Sequence, residues 1–211
     1  MRTSIKLTMP IPLLHLAIFF SLLFSGIHLG CVSLIFAAFL HLYLTPPILF
    51  RLHNFFIPLP LGYSEFTFSK YSPWFGSFQL QVIYIAIPHL EAVLRLIPGA
   101  YSAWLRLWGA KIGKGVYWTP LVEIIDRPLL DIGDHVVFGH RVTTTSHYIL
   151  PNKNAPGLRL YMKPIFIGEH AFIGAGVRIG PGVTILPRAF LKYNLECFPD
   201  KTYGGKEENG K

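Results

Sequence analysis

KPIFIGEHAFIGAGVRIGPGVTI, residues 163–185, decides the fold of this 211-residue chain. Ile167-Gly168, Ile173-Gly174 and Ile179-Gly180 recur in strict register, and Ile185 and Leu191 continue the series. The fifth residue of each unit is Ala171, Val177, Val183, Ala189 and Leu195. The same frame occurs earlier at Ile132-Gly133 and Phe138-Gly139, with Val136 and Val142 in fifth place, and at Ile112-Gly113 with Val116. A period of six is neither the 3.6 of a helix nor the simple alternation of a strand. It describes one short strand and one corner. The first residue points into a core, the glycine permits the bend, and the fifth residue fills the remaining inward space. Three units close a triangular coil, and stacked coils make a parallel β-helix whose hydrogen bonds run between coils. The repeats suffice for three to four coils.

The series is interrupted once. After Thr144 the next clear unit opens at Ile167, out of step with the period, so residues 149–162 (ILPNKNAPGLRLYM) leave the coil as a loop. A loop thrown out of a rigid scaffold is a common place for function, and His147 stands just before the exit.

Upstream, the composition changes. Residues 7–50 contain no Asp, Glu, Lys or Arg, and every acidic residue falls at Glu65 or later. Such a run is long enough for two membrane-spanning helices and excessive for one. They are expected near Ile11–Ile27 and Cys31–Phe50, joined through Gly26, His28 and Gly30, with Pro46-Pro47 weakening the second near its end. Arg2 and Lys6 flank one end of the hairpin and Arg51 the other, while the connection carries no cation. The positive-inside rule then places both ends in the cytoplasm. A cleaved signal peptide is the rival reading, but the apolar run continues well past any plausible cleavage point. Cys31 and Cys197 suggest no disulfide framework and fit a reducing compartment.

Between hairpin and repeat, Pro88 to Ile97 has helical periodicity, with Leu90, Val93, Leu94 and Ile97 on one face, and Pro98-Gly99 stops it. A second apolar segment holds Trp104, Leu105, Leu107 and Trp108 beside Arg106. Basic residues mixed with Trp and Tyr suit a headgroup region, and these helices serve equally well to cap the coil. The expected organisation is a transmembrane hairpin (1–52), interfacial connecting helices (53–109), the repeat domain (110–199) and a polar tail (200–211). With 52% hydrophobic residues and only 14% charged, the net charge of +8 argues for membrane and cofactor contact and against nucleic acid.

The repeat, together with VTTTSH at 142–147 and the stretch 163–185, resembles the hexapeptide-repeat acyltransferases, the superfamily that includes the galactoside, maltose and colanic-acid acetyltransferases. The resemblance covers roughly Ile112 to Pro199 and does not include the hairpin. It implies an all-β left-handed parallel β-helix; the handedness comes from the resemblance alone, since ordinary crossovers are right-handed. It also implies acetyl-CoA or another acyl-CoA as co-substrate, no metal, and a homotrimer with sites between adjacent prisms. In that family the histidine at the position of His147 is the general base that deprotonates the acceptor hydroxyl or amine. An imidazole suits that work at neutral pH. By the same resemblance, Gly174, Ala175 and Gly176 lie where the pantetheine arm approaches. Lys163, Arg178, Arg188 and Lys192 are candidates to pair with the cofactor phosphates. Glu123, Asp126 and His140 are candidates to touch the acceptor or orient the imidazole. One departure stands out. LECFP at 195–199 puts Glu196 where the family has a lysine that grips CoA.

The expected protein is therefore a membrane-anchored acyltransferase, an O-acetyltransferase in the first instance, facing the cytoplasm from a bacterial inner membrane. Its acceptor would be a sugar, a lipid-linked sugar or another envelope precursor. Two other readings stay open. A zinc hydratase similar to the gamma-class carbonic anhydrases would use His135 and His140, whose separation matches one ligand pair of that family, although Thr145 falls where the next ligand should stand. A catalytically silent β-helix scaffold would give His147 no special role.

Overall fold

A computed structural model describes residues 8–67, 70–152 and 157–204. Arg2, Lys6 and most of the expected polar tail lie outside the described residues. The chain divides into two compact units, residues 1–59 with 67–83 and residues 60–66 with 84–211.

In the first unit, α1 (Ile11–His28) and α2 (Val32–Phe56) pack on each other. Both are long and apolar enough to cross a membrane, with most of each helix unburied. The bend between them is tight at Gly26, where a Cβ would meet the backbone nitrogen of Ile35 at 2.9 Å. Elsewhere between the two helices, the rings of His15 and His41 lie 4.2 Å apart, tilted by 40°. Helix α2 does not weaken at Pro46-Pro47 but continues to Phe56. A short α3 (Pro73–Gln79) follows, its first turn capped by Ser72, whose Oγ accepts from the Phe75 amide.

The connecting segment expected over 53–109 is thus shared between the two units. To the second unit it contributes β1 (Gly62–Phe66), most of α4 (Val82–Ala86), α5 (His89–Arg95) and α6 (Ala100–Trp108). Helix α6 ends at Gly109, in the left-handed conformation that favours glycine. It packs Trp104 and Trp108 edge-on against Tyr84 and stacks Tyr101 against Trp104. Trp118, in the first coil, donates its indole N–H to Ser102 (2.9 Å) and lies edge-on to Tyr101. The helices therefore close the first coil from its open end.

The coil itself is built from strands of two or three residues arranged in three parallel sheets. Sheet B stacks β2 (Lys111–Ile112), β5 (Leu130–Ile132), β10 (Ile165–Ile167), β13 (Thr184–Ile185) and β16 (Thr202–Tyr203). Sheet C stacks β3 (Tyr117–Trp118), β6 (Val137–Phe138), β11 (Phe172–Ile173) and β14 (Phe190–Leu191). Sheet D stacks β4 (Glu123–Ile124), β7 (Thr143–Thr144), β12 (Arg178–Ile179) and β15 (Glu196–Cys197). Each turn of the chain visits B, C and D in order. Residues 112, 118 and 124 form the first coil's inward positions, 132, 138 and 144 the second's, 167, 173 and 179 the third's, and 185, 191 and 197 the fourth's, all buried. Trp118, Thr144 and Cys197 thus occupy repeat positions although none is a branched aliphatic residue. Strand β16 carries the coil past residue 199.

The glycines play a different part from the one the sequence suggests. The corner is turned at the fourth residue of the unit, where φ is positive at Gly115, His135, Arg141, His170, Gly176, Gly182, Arg188, Asn194 and Asp200. The second-position glycines are instead sites of close approach between coils. A Cβ at Gly139 would come within 2.6 Å of the Ala175 nitrogen and 2.9 Å of the Gly174 carbonyl carbon, and one at Gly133 within 2.6 Å of the Glu169 nitrogen. Backbone cannot yield there without parting the coils.

Gly139→Ala is therefore expected to lower stability, by an amount on the order of 1–3 kcal/mol. Arg141→Gly, which relieves a left-handed conformation costing about 1 kcal/mol, should leave it unchanged or raised. Thermal unfolding of both purified variants checks the pair; the reverse order would return the bend to the second position.

Candidate active site

Both breaks in the six-residue spacing fall at one corner, the turn from sheet D to sheet B, in successive coils. In the first coil the step from Ile124 to Ile132 holds two extra residues and a 3₁₀ turn, Arg127–Leu129. In the second coil, Thr144 leads into an antiparallel arm, β8 (His147–Pro151) and β9 (Leu158–Met162), against which β1 adds a third strand. The expected excursion is thus a paired antiparallel sheet over 147–151 and 158–162, and residues 153–156 lie outside the described residues.

The two breaks meet through Asp126. Its carboxylate, 3% exposed, accepts the Ser146 backbone N–H at 2.8 Å and lies 2.7 and 2.9 Å from Nδ1 of His147. Ser146, 1% exposed, donates its hydroxyl to the carbonyl of Leu129 at 3.3 Å. With an acceptor-only carboxylate facing Nδ1, that nitrogen carries the proton and donates, and Nε2 becomes the basic nitrogen of the neutral ring. The bond fixes the ring's tautomer and its direction together.

The other expected site residues fall into three places. Lys163 re-enters the coil beside the pair: its amide donates to the Ser146 carbonyl at 2.9 Å. Its ammonium is engaged with Asp200 at 2.6 Å, and Asp200 also accepts the Tyr161 hydroxyl at 2.6 and 2.7 Å. The hydrogen bond from Lys163, with that from Tyr161, holds the Asp200 carboxyl below its ordinary pKa. Glu123 and Arg178 stand on the outer surface of sheet D with Thr143 between them. Arg178 pairs with Glu196 at 3.3 Å, so the glutamate that replaces the family lysine has a cation of its own. A shallow groove of about 220 Å³ runs along this surface past Thr143, Thr145, Arg178, Glu196 and Phe198. His140, Gly174, Ala175, Gly176 and Lys192 occupy the corner from sheet C to sheet D. There the Gly176 amide donates to the His140 carbonyl (2.8 Å), and Asn194 donates to Ala175. Within one chain, then, Asp126, His147 and Lys163 are brought together, while the C-to-D group lies across sheet D from them.

Of the two roles the sequence offers Asp126, touching the acceptor or orienting the imidazole, the geometry favours the second, through two insertions that share a corner. The eight-residue step from Ile124 to Ile132 is the signal in the sequence that marks it. Ser146 carries no signal beyond its place in the motif. His135, a candidate ligand, stacks instead on His170 with ring centres 5.1 Å apart, and no group of three or more His, Cys, Asp or Glu among the described residues is arranged to hold a metal.

No family model matches the chain. It is 36% identical over 75 residues to the galactoside O-acetyltransferase of Lactococcus lactis, an alignment covering 35% of this chain and 36% of that protein. It is 40% identical over 76 residues to nodulation protein L of Rhizobium leguminosarum, covering 35% and 40%. The chain therefore spans well under two thirds of the length of these relatives. Among solved structures, a hexapeptide-repeat acetyltransferase of Vibrio cholerae complexed with acetyl coenzyme A matches 57% of this chain and 84% of its own, with 22% identity and a TM-score of 0.39. Over about a third of its length, then, the chain is similar in sequence to galactoside O-acetyltransferase, a member of the superfamily its repeat resembles.

Proposed function

We propose that this chain is a membrane-anchored acetyltransferase that moves an acetyl group from acetyl-CoA to a hydroxyl of a sugar, a lipid-linked sugar or another envelope precursor. The observation that carries the reading is the buried Asp126 carboxylate on Nδ1 of His147, at the point where an arm leaves a six-residue-repeat coil. The sequence similarity to galactoside O-acetyltransferase supports the reaction class. The coil takes the left-handed sense of the family it resembles.

In the reaction, Nε2 of His147 accepts the proton of the acceptor hydroxyl as its oxygen attacks the thioester carbonyl. Asp126 keeps Nδ1 protonated and faces the imidazolium with a negative charge once it forms. The tetrahedral intermediate then collapses, breaking the carbon–sulfur bond, and the departing thiolate recovers the proton from Nε2. The products are the acetyl ester and free CoA. Lys163, Arg178 and Lys192 are the cations proposed for the cofactor phosphates, with the salt bridges of the first two opening to engage them. Gly174, Ala175 and Gly176 offer the close backbone approach a pantetheine arm needs. Because Lys192 and Gly174 to Gly176 lie across sheet D from His147, whereas Lys163 lies beside it, a homotrimer would complete each site with residues from two prisms. Glu123 and His140 are proposed contacts for the acceptor.

The anchor reading rests on α1 and α2, and the orientation on Arg51 together with the absence of any cation in the connection between them. Both ends of the hairpin would then lie on the cytoplasmic side of a bacterial inner membrane, where acetyl-CoA is available.

Two outcomes follow. Envelope glycans and lipids from cells producing the wild-type chain should carry an acetyl mass increment that is absent with His147→Ala, since loss of a positioned base costs on the order of a hundredfold or more. Asp126→Asn retains a hydrogen-bonding group but no longer imposes the Nδ1-protonated ring, and should cost at least about a hundredfold in kcat with little change in KM. Mass spectrometry of the extracts and steady-state release of free CoA check these. Retained acetylation with His147→Ala would overturn the assignment.

A further inference from the structure

Residues 126 and 127 bury opposite charges that face opposite ways. Asp126 turns to His147, whereas Arg127, 1% exposed, turns to Glu91 on α5, 2% exposed. The Arg127 Nε donates to Glu91 Oε1 at 2.7 Å, and Nη2 lies 2.6 Å from the same oxygen. The second carboxylate oxygen, Oε2, accepts from Arg95 at 2.7 Å and from the Tyr101 hydroxyl at 3.1 Å. Arg95 reaches on to the Pro120 carbonyl of the first coil at 2.7 Å. The Arg127 guanidinium sits over the ring faces of Tyr84 and Trp104, with centroids at 5.2 and 5.8 Å. Burial and the neighbouring Glu91 charge push the Tyr101 phenol up, which keeps it a hydrogen-bond donor.

The turn these charges flank is closed by one backbone hydrogen bond, from the Leu129 N–H to the Asp126 carbonyl at 3.2 Å. Arg127 opens a 3₁₀ turn immediately before Pro128, although the residue before a proline is disfavoured in helical backbone. Asp126 makes no side-chain cap to that turn, because its carboxylate is spent on Ser146 and His147. Beyond that bond, side chains restrain the turn from two sides, Ser146 on one and Glu91 on the other. A buried ion pair is seldom a net source of stability compared with apolar residues of similar size, but it is highly directional. Directional restraint is what a hydrogen-bonded imidazole needs.

We propose that Glu91 and Arg127 are positioning residues for the Asp126–His147 pair, so that helix α5, outside the repeat, is a working part of the site. This rests on the reading of His147 as the base. The ion pair pins the 3₁₀ turn and thereby holds the Asp126 carboxylate at bonding distance from Nδ1. Losing it lets the carboxylate drift and leaves the ring poorly aimed, and small misplacements of a catalytic group cost about ten- to a hundredfold in rate.

The test uses the full chain in detergent, with Glu91→Met/Arg127→Met as the main variant. Replacing both charges with apolar side chains strands neither Glu91 nor Arg127, and Arg95, which loses Glu91, keeps the Pro120 carbonyl at 2.7 Å and the Tyr101 hydroxyl at 2.8 Å as acceptors, so the protein is expected to fold, with thermal stability at or modestly below wild type. Glu91→Gln serves as a second variant. Two readouts are taken: steady-state acetyl transfer and the ¹⁵N spectrum of histidine-labelled protein, with the His147 Nδ1 signal assigned by its loss in His147→Ala. The proposal expects kcat to fall about tenfold or more, KM for acetyl-CoA to stay within about twofold, and the Nδ1 signal to shift or broaden. In an Asp126→Asn background the same double substitution should have no further effect on kcat. A folded variant with unchanged kcat and an unchanged Nδ1 signal would overturn the proposal, as would an equal loss of kcat in both backgrounds. If the wild-type chain transfers no acetyl group, the reading of the reaction fails, and the Nδ1 signal alone then decides for or against the positioning role.

Discussion

Successive coils of this chain must lie one β-spacing apart at every corner, about 4.8 Å, and the remaining features follow from meeting that distance or escaping it. Where it is met, most inward positions carry Ile, Leu, Val, Phe or Ala, and the second-position glycines let backbone lie against backbone. Where it is escaped, the chain departs always at the same edge. The extra residues before Ile132 and the arm after Thr144 both leave from the turn between sheets D and B, one coil apart. Stacking then brings the first departure against the second, and Asp126 reaches Ser146 and His147 without any residue in between. The third and fourth coils turn the same corner compactly, at Gly182 and Asp200. The candidate site is thus a local failure of the repeat, held in place by the repeat's regularity on either side.

The period of six was legible because inward-facing residues had to be apolar at fixed intervals. It faded where a position could be filled otherwise: Trp118 fits because its indole finds Ser102, and Thr144 is buried at 1% exposure beside the site. The role of the glycines was misread for a physical reason. Both a left-handed corner and a close approach favour glycine, and only the backbone angles separate them; the true corners accept His135, Arg141 and Asn194. His147 could be singled out from its motif and its place before the excursion. Asp126 could be named beside Glu123 and His140 as a residue to orient the imidazole or touch the acceptor, but choosing among them needed the stacking of the two insertions. Least legible was Glu91, whose partner Arg127 stands 36 positions away on another kind of element.

The division between units bears on function. The apolar helices belong to one and the coil, with its capping helices and arm, to the other. In the proposed reading, the chemistry resides wholly in the second unit and the first supplies location, which suits an acceptor confined to a membrane surface. Within the second unit, the capping helices do two jobs with the same side chains. Tyr84, Tyr101 and Trp104 close the coil's open end, and they also surround the buried charges that flank Asp126.

The central claim is that this chain transfers an acetyl group by means of the His147–Asp126 pair. The most direct measurement gives purified full-length protein in nanodiscs acetyl-CoA labelled in the acetyl carbon, with extracted envelope glycolipids as acceptor, and follows label into the glycolipid against an equal release of free CoA. The account predicts stoichiometric transfer by the wild-type chain and none above background for His147→Ala. Equal labelling by both proteins, or release of CoA by the wild type with no label in any acceptor, would contradict it.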